Sequence, residues 1–521
     1  MDSSSDFETQ STVFLNWFKA QPGTQFHASL KIVDLRDRNA GRGIIATQDI
    51  PPDTDLFTIP RNIIISEETS TLAKKIPSLF SRTTSNAEAD VDNDNDNDPD
   101  IDLDDEDPSV PDSWLNLILI LLYESLQHST SKWSPYLTIL PQHPGSFNTL
   151  MFWTDHDLSA LRGSAIPNKI GKESANRMFT DRIIPIVKRH ADIFYPATTT
   201  HRHQQQEQRL SDSALLERCH IIGSLIMSYA FDLQPDSDDS DSDTEMAGAE
   251  DGWIEDHNTT ATPSTSTMGM VPMADMLNAD AEFNAHLSHG EDSLTMTSLR
   301  EIKAGEEVLN YYGPLPNGEL LRRYGYTSPK HARYDVVEVP WSLVKTVISE
   351  YWPQSQGRPQ VARILTEIEQ DEDNDLDLDL DFDLTDQDGA GFILERESGD
   401  PDDQGLCVVD AKFVSFPEDM VNVVSHVVTS VLSAAPRNST AKSSKKTETT
   451  KVKSTTLEIL SRIVRRRLDQ YPTTVQEDEN LLLSNPTAGR ARMALDVRLG
   501  EKRLLVEALE WTESKLNKYR E

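Results

Sequence analysis

Four tyrosines, Tyr311, Tyr312, Tyr324 and Tyr326, stand in one stretch, "GEEVLNYYGPLPNGELLRRYGYTS" (Gly305 to Ser328). Two of them, Tyr312 and Tyr324, directly precede a glycine. A helix would avoid those glycines, whose backbone freedom is costly to restrain, and a strand would not need so many polar breaks. The combination instead presents phenolic hydroxyls, each both donor and acceptor, on a backbone free to bend around a small ligand. Upstream lie "AGRG" (Ala40 to Gly43) and "VPMADMLNAD" (Val271 to Asp280). The first reads either as a plain turn or as a place where Gly43 lets the backbone approach a ligand closely.

Several chemistries are excluded. "AGRG" is no dinucleotide fingerprint, because the third glycine is missing and no long helix follows. There is no nucleotide-binding Gly-Lys-Ser/Thr loop, and no Ser-His-Asp or Cys-His set is suggested. His201 and His203 sit in a Gln-rich stretch that reads as loop surface. The only cysteines, Cys219 and Cys407, are too few and too far apart for a disulfide framework or a zinc cluster. No metal is expected, and a reducing compartment is the natural setting.

The elements that must position these residues follow from periodicity. "DFETQSTVFLNWFKA" carries Phe7, Val13, Phe14, Trp17 and Phe18 at helical spacing, with Ser11 or Thr12 as a cap. "LKIVDL", "GIIATQDI" and "DLFTIPRNIIIS" predict small strands joined by tight turns, and "LTMTSLREI" another strand. Helices are predicted over Ser113 to Gln127 (Asp112 or Ser113 as cap) and Ser213 to Asp232. The apolar run "WLNLILILLY" from Trp114 is too short to span a bilayer and reads as a buried helix. Beyond Ser328 the chain turns to long amphipathic segments, interrupted by a Ser/Thr/Lys linker from Pro436 to Thr456.

The net charge of -38 is local in origin: three runs, 88–107, 236–256 and 367–388, hold 12, 10 and 12 acids and no base. Outside them the chain is near neutral, with 53 acids against 49 bases. They read as solvated acidic loops. A calcium loop counted from Asp90 fails, since its sixth and twelfth places hold Asn95 and Ile101 instead of Gly and Glu. The polar, acidic N-terminus is unlike a signal peptide, so a soluble intracellular protein is expected. The charge disfavours direct nucleic-acid binding. The basic "RIVRRR" (Arg462 to Arg467) reads as a solvated helix face or, with "KSSKK", as part of a nuclear signal.

Taken in order, the Ala-Gly-Arg-Gly turn, "MVPMADMLNAD", "VLNYYG" and "LLRRYGYTS", with "KWSPYLTILP", resemble the SET-domain lysine methyltransferases. The resemblance is to the subgroup with a long internal insertion and a helical C-terminal domain, which includes plant Rubisco large-subunit methyltransferase and its fungal and animal relatives. It implies an α+β fold: a SET β-fold with a helical insertion, then an all-helical domain. The expected boundaries are 1–328, with the insertion at about 66–268 carrying acidic loops 88–107 and 236–256. A substrate-binding region at 329–521 would carry acidic loop 367–389.

The resemblance further implies methyl transfer from S-adenosyl-L-methionine to a lysine, a direct displacement needing a neutral, aligned amine. A lysine normally titrates at about 10.4, so an apolar channel must disfavour its charged form. Tyr312 takes the catalytic place, orienting the amine. Gly41, Arg42, Gly43, Tyr229, Asn278, Ala279 and Tyr324 fall at cofactor positions. Ala279 stands where histidine is common in the family, so only backbone contacts are expected there. Tyr229 reads equally as a helix-buried tyrosine. Trp133, Ala230, Asp232 and Arg322 fall at substrate-side positions, Asp232 reading equally as a solvated acid. The implied partner is a basic protein, of the large ribosomal subunit, and the implied location is the nucleus, with the cytoplasm as second site; no membrane partner is expected. A catalytically silent SET-like escort for basic proteins, and a histone methyltransferase, are the alternative functions.

Overall fold

A computed structural model describes residues 3–38, 40–80, 112–195, 209–233, 267–353, 358–370, 391–434, 445–484 and 488–520. The acidic stretches 88–107 and 236–256, all of 367–389 beyond residue 370, and His201 and His203 lie outside the described residues.

Short strands dominate the first half. β1 (Gln25–Phe26), β4 (Asp55–Pro60), β9 (Ser293–Ser298) and β8 (Ala285–His289) form an antiparallel sheet in the order β1-β4-β9-β8. β2 (Leu30–Asp34) and β3 (Arg42–Ala46) make an antiparallel pair, as do β5 (Ala230–Asp232) and β6 (Met268–Met270). The pairing of β7 (Asn278–Ala279) with β10 (Leu309–Asn310) is parallel, setting Asn278 opposite Leu309. Along β9 buried and half-buried residues alternate, the period-two pattern of a strand with one face on the core.

The predicted helices occur over Ser3–Lys19, Asp112–Leu126 and Asp212–Tyr229. Two local expectations are corrected. Ser11 and Thr12 lie inside the first helix, each hydroxyl donating at 2.8 Å to the carbonyl four residues back, Phe7 and Glu8. The helix predicted to reach Asp232 ends at Tyr229, because Ala230–Asp232 pairs as a strand with Met268–Met270. The Trp114 run is a buried helix, with Ile118, Ile120 and Leu122 wholly inaccessible. Among the described residues no helix is long and apolar enough to cross a membrane.

The second half is helical: Trp341–Tyr351, Arg358–Glu369, Glu418–Ala434, Lys445–Leu468, Val475–Ser484 and Arg490–Arg520. It also holds a ribbon of β11 (Val337–Pro340) and β12 (Gly391–Leu394), absent from the sequence expectation. The linker expected over Pro436 to Thr456 is overturned from residue 445 onward: Lys445–Leu468 is one helix whose Thr455, Thr456, Ile459 and Leu460 are buried. Polar composition misled there, since the Ser/Thr/Lys residues are the first turns of an otherwise apolar-faced helix. The basic patch is engaged: Arg465 pairs with Glu513, Arg466 with Glu350, and buried Arg467 donates to the Glu338 carbonyl.

Two large cores result, one running from Phe14 to Val308 and one from Val337 to Ala508. A third, smaller cluster joins the halves: Leu150, Trp153 and Leu161 meet Leu321 of the helix Asn317–Tyr324, and Met493 and Val497 of the C-terminal helix Arg490–Arg520.

Candidate active site

Three distant segments meet where β7 and β10 run side by side. The Asn278 side-chain amide donates to the Arg42 carbonyl (3.1 Å) and to Glu307 Oε1 (2.7 Å). That clamp fixes the glycine turn against "VLNYYG". At Gly43 an added Cβ would lie 2.5 Å from Leu35 Cδ1, 2.8 Å from Glu307 Oε1 and 3.0 Å from Asn278 Nδ2. Gly43 is therefore closed in by protein. Gly41 is the open one: it takes φ +66° and an added Cβ there would meet nothing within 4 Å. Glycine is needed there for its left-handed backbone.

The tyrosines gather on the other side. Tyr312 and Tyr324 stack with ring centroids 4.4 Å apart and an interplanar angle of 15°, and Tyr326 meets Tyr324 edge-on at 6.4 Å. The glycines make this packing feasible. Gly313 takes φ +91°, turning the chain directly after Tyr312. Gly325, at φ +78°, is the left-handed cap that ends the helix at Tyr324, its N–H donating to Leu320 and Leu321. The Tyr312 hydroxyl donates to the Leu277 carbonyl (3.1 Å) and the Tyr326 hydroxyl to the Ala279 carbonyl (3.1 Å). Both acceptors flank Asn278.

Near the rings lies Asp275, which is 8% exposed. Its Oδ2 accepts a short hydrogen bond from the Tyr136 hydroxyl, and its Oδ1 has no partner among the described residues. Burial pushes this carboxyl up to about 7. Burial likewise raises Tyr229 to about 12, with the Asp275 charge adding to it and Arg42 opposing it. Tyr312 is raised well above its ordinary value by burial, then by Tyr326, Tyr324, Tyr229 and Asp275. At neutral pH the Tyr312 hydroxyl thus keeps its proton and serves as a hydrogen-bonding group.

The raised Asp275 value has a stability consequence. Its pKa is higher folded than unfolded, so its contribution is fully present below about pH 4 and lost as pH rises through about 7. Asp275→Asn removes the ionisation. The unfolding free energy of the variant, relative to that of the parent, should climb between pH 4 and 8, by an amount on the order of a few kcal/mol. Parallel melting curves across that range would sink the assignment.

The remaining sequence expectations divide. Asn278, Ala279, Tyr229, Tyr312 and Tyr324 come together with the glycine turn. Ala279 is 6% exposed and contributes its carbonyl. Ala230 and Asp232 stand partly buried on β5, directly after Tyr229. Arg42 is corrected: its side chain, close enough to Tyr229 to oppose that group's raised pKa, is taken up by protein partners. The guanidinium lies 3.9 Å from the Phe7 ring centroid and donates to Ser11, to the Ile139 carbonyl and to Gln10. Only its main chain joins the clamp. Trp133 is corrected too, being 1% exposed with its indole N–H donating to the Ile63 carbonyl at 2.7 Å. Among the described residues it packs in the core. Arg322 is 4% exposed and paired with Glu319 at 2.7 Å, so its charge is already matched inside the fold.

Asp275, Tyr326, Tyr136 and Glu307 were missed as site residues. Asp275 and Glu307 lie inside stretches already singled out, and a carboxylate on a segment of apolar residues was a readable signal. Tyr136 lies in "KWSPYLTILP", also singled out, but nothing in that stretch points to its partner Asp275, 139 positions away.

The sequence and the fold find counterparts among known proteins. The SET domain family model matches residues 41–313, and the model of the Rubisco LSMT substrate-binding domain matches residues 421–505. The chain belongs to the SET-domain family. Ribosomal lysine N-methyltransferase 4 of Saccharomyces cerevisiae is 33% identical over 336 residues, 64% of this chain and 58% of that protein. The N-lysine methyltransferase SETD6 of Rattus norvegicus is 25% identical over 303 residues, 57% of this chain and 50% of that protein. The chain thus spans about half the length of these relatives. The crystal structure of the SET domain of LSMT bound to lysine and AdoHcy superposes with a TM-score of 0.55 at 17% identity, over 98% of this chain and 92% of that one. That likeness establishes the α+β fold, a SET core followed by a helical region.

Proposed function

We propose that this chain is an S-adenosylmethionine-dependent protein-lysine N-methyltransferase acting on a protein of the large ribosomal subunit. The observation that carries the reading is the clamp itself: glycine turn, Asn278 and Tyr312 brought within one cluster from three segments of the chain. The cluster suits the cofactor chemically. Gly41 leaves open space beside the turn, and an unpartnered, buried carboxylate oxygen of Asp275 sits by the tyrosines. Such an oxygen favours a positively charged neighbour. S-adenosylmethionine supplies, when bound, an electrophilic methyl on a cationic sulfur.

This chain's residues do the rest. Gly41, Arg42 and Ala279 offer main-chain groups, and Asn278 holds them in register. Tyr324 and Tyr229 wall the site. Tyr312, neutral and pinned at Leu277, orients the incoming amine by its hydroxyl oxygen. The surrounding apolar rings exclude water, which favours the neutral amine over the ammonium. Ala230 and Asp232 are the proposed substrate-side pair.

The ribosomal substrate rests on the name of the yeast relative and on charge. The chain carries 87 acids against 49 bases, which attracts a basic protein and speeds its association. Nuclear residence, with the cytoplasm second, belongs to the same reading. The test is methyl transfer from labelled S-adenosylmethionine into fungal ribosomal extract. A labelled large-subunit protein is expected. Calorimetric cofactor binding without ribosomal label would overturn the substrate, and absence of both would overturn the enzyme.

A further inference from the structure

The helix Asn317–Tyr324 delivers Tyr324 to the stack, yet nothing local caps its start: Pro316 precedes it and offers no side-chain bond. The cap comes from elsewhere. Asp335 Oδ1 accepts from the Asn317 main-chain N–H (2.9 Å) and from the Asn317 side-chain amide (3.2 Å). A carboxylate at a helix N-terminus matches both the free N–H groups and the helix dipole. The other end of Asn317 is also used. Its Oδ1 accepts from the Ser328 N–H at 2.8 Å, and the Ser328 hydroxyl donates to Asp280 at 2.7 Å. The Asp335–Asn317 pair therefore holds both the beginning of the helix and the loop that follows it. Tyr324 and Tyr326 lie between those two anchor points.

Asp335 is in turn gripped by the C-terminal helix. A Cβ built on Gly500 would stand 1.9 Å from Asp335 Oδ2. Glycine there leaves just the space that the carboxyl occupies. Asp335 is 2% exposed, Asn317 3%, and Oδ2 has no hydrogen-bond partner among the described residues. Leu321, on the same tyrosine helix, packs with Met493, Ala494 and Val497 of the C-terminal helix. Thr327 donates to Asp496 at 3.1 Å. The C-terminal helix thus reaches the start of the tyrosine segment through Asp335, and touches its middle and end directly.

We propose that Asp335 and Asn317 are positioning residues of the tyrosine site, and that they transmit the seating of the C-terminal helix at Gly500 to Tyr324 and Tyr326. The pair joins the site to the part of the chain that carries the helical region, so methyl transfer depends on that region being in place. The catalytic consequence rests on the methyltransferase reading; the positioning itself does not. Burial pushes the Asp335 carboxyl up to about 7, Asn317 and Arg396 opposing and Glu501 adding. A neutral amide in the same place is therefore tolerable, which supplies a conservative control.

The experiment uses the full chain labelled with 3-fluorotyrosine, the Tyr324 and Tyr326 fluorine resonances being assigned by single Phe substitutions. Both resonances should move in Asp335→Ala and return near their parent positions in Asp335→Asn. In parallel, kcat for methyl transfer should fall at least about tenfold in Asp335→Ala with KM for the protein substrate little changed, and recover in Asp335→Asn. Gly500→Ala, which pushes on the same carboxyl from the other side, should shift the same two resonances. Unmoved resonances in folded Asp335→Ala or Gly500→Ala overturn the proposal, as does equal impairment of the Ala and Asn variants. Where Asp335→Ala fails to fold, Gly500→Ala decides by the same readout. Shifted resonances in a chain whose parent transfers no methyl overturn the methyltransferase reading and leave the positioning intact.

Discussion

Replacing Tyr312 by phenylalanine is expected to lower kcat for methyl transfer by roughly 10²-fold, the scale of losing one aligned hydrogen-bonding group at a reacting centre. The ring stack with Tyr324, at 4.4 Å between centroids, survives the change, because phenylalanine keeps the aromatic face. What disappears is the hydroxyl and its bond to the Leu277 carbonyl. The fold should lose only about 1 kcal/mol, one neutral hydrogen bond, so the melting temperature should stay within a few degrees of the parent. Cofactor affinity by calorimetry should be nearly unchanged, since the glycine turn and Asn278 are untouched. A variant with parental kcat would remove Tyr312 from the chemistry. The pH–rate profile of the parent carries a second check. The Tyr312 pKa lies well above its ordinary value, so the profile should show no tyrosine ionisation below pH 10.

The largest stability effect should come from Asp478→Ala. Lys502 is inaccessible, and its ammonium donates to Asp478, to the Thr473 carbonyl and hydroxyl, and to the Thr474 carbonyl. Asp478 also accepts from Arg498 at 3.3 Å. Removing the carboxylate strands a buried ammonium and takes a partner from Arg498. Breaking one side of such a pair costs about 3–5 kcal/mol, enough to lower the melting temperature by about 3–5 °C in a chain of this size. The double variant Asp478→Leu with Lys502→Met should be more stable than either single one, because an apolar pair leaves no unmatched charge. Chemical denaturation of the three variants measures this directly. Equal stability of Asp478→Ala and the parent would show that water or the threonine carbonyls satisfy Lys502 without its acid. This pair ties Val475–Ser484 to the C-terminal helix, so its loss should loosen the helical region first.

Much of this protein was decided within short windows of chain. Glycines at 41, 313 and 325 take the left-handed backbone because no side chain opposes it. Helical periodicity placed Asp112–Leu126 and Asp212–Tyr229 to within a few residues. The motif order carried the family, since it records which residue types must face one small ligand. Other features were settled only when distant segments met. Arg42 looked like a ligand group but found Phe7, Gln10 and Ser11. Trp133 and Arg322 looked substrate-facing, yet each is buried with its polar atoms matched inside the fold. Asp275 became a site residue through Tyr136, and Asp335 a cap for a helix that begins at Asn317. The reason is physical. Backbone conformation and amphipathic period are local properties, carried by each residue and its near neighbours. Burial, charge pairing and pKa are properties of the surroundings, and here the surroundings come from the far end of the chain.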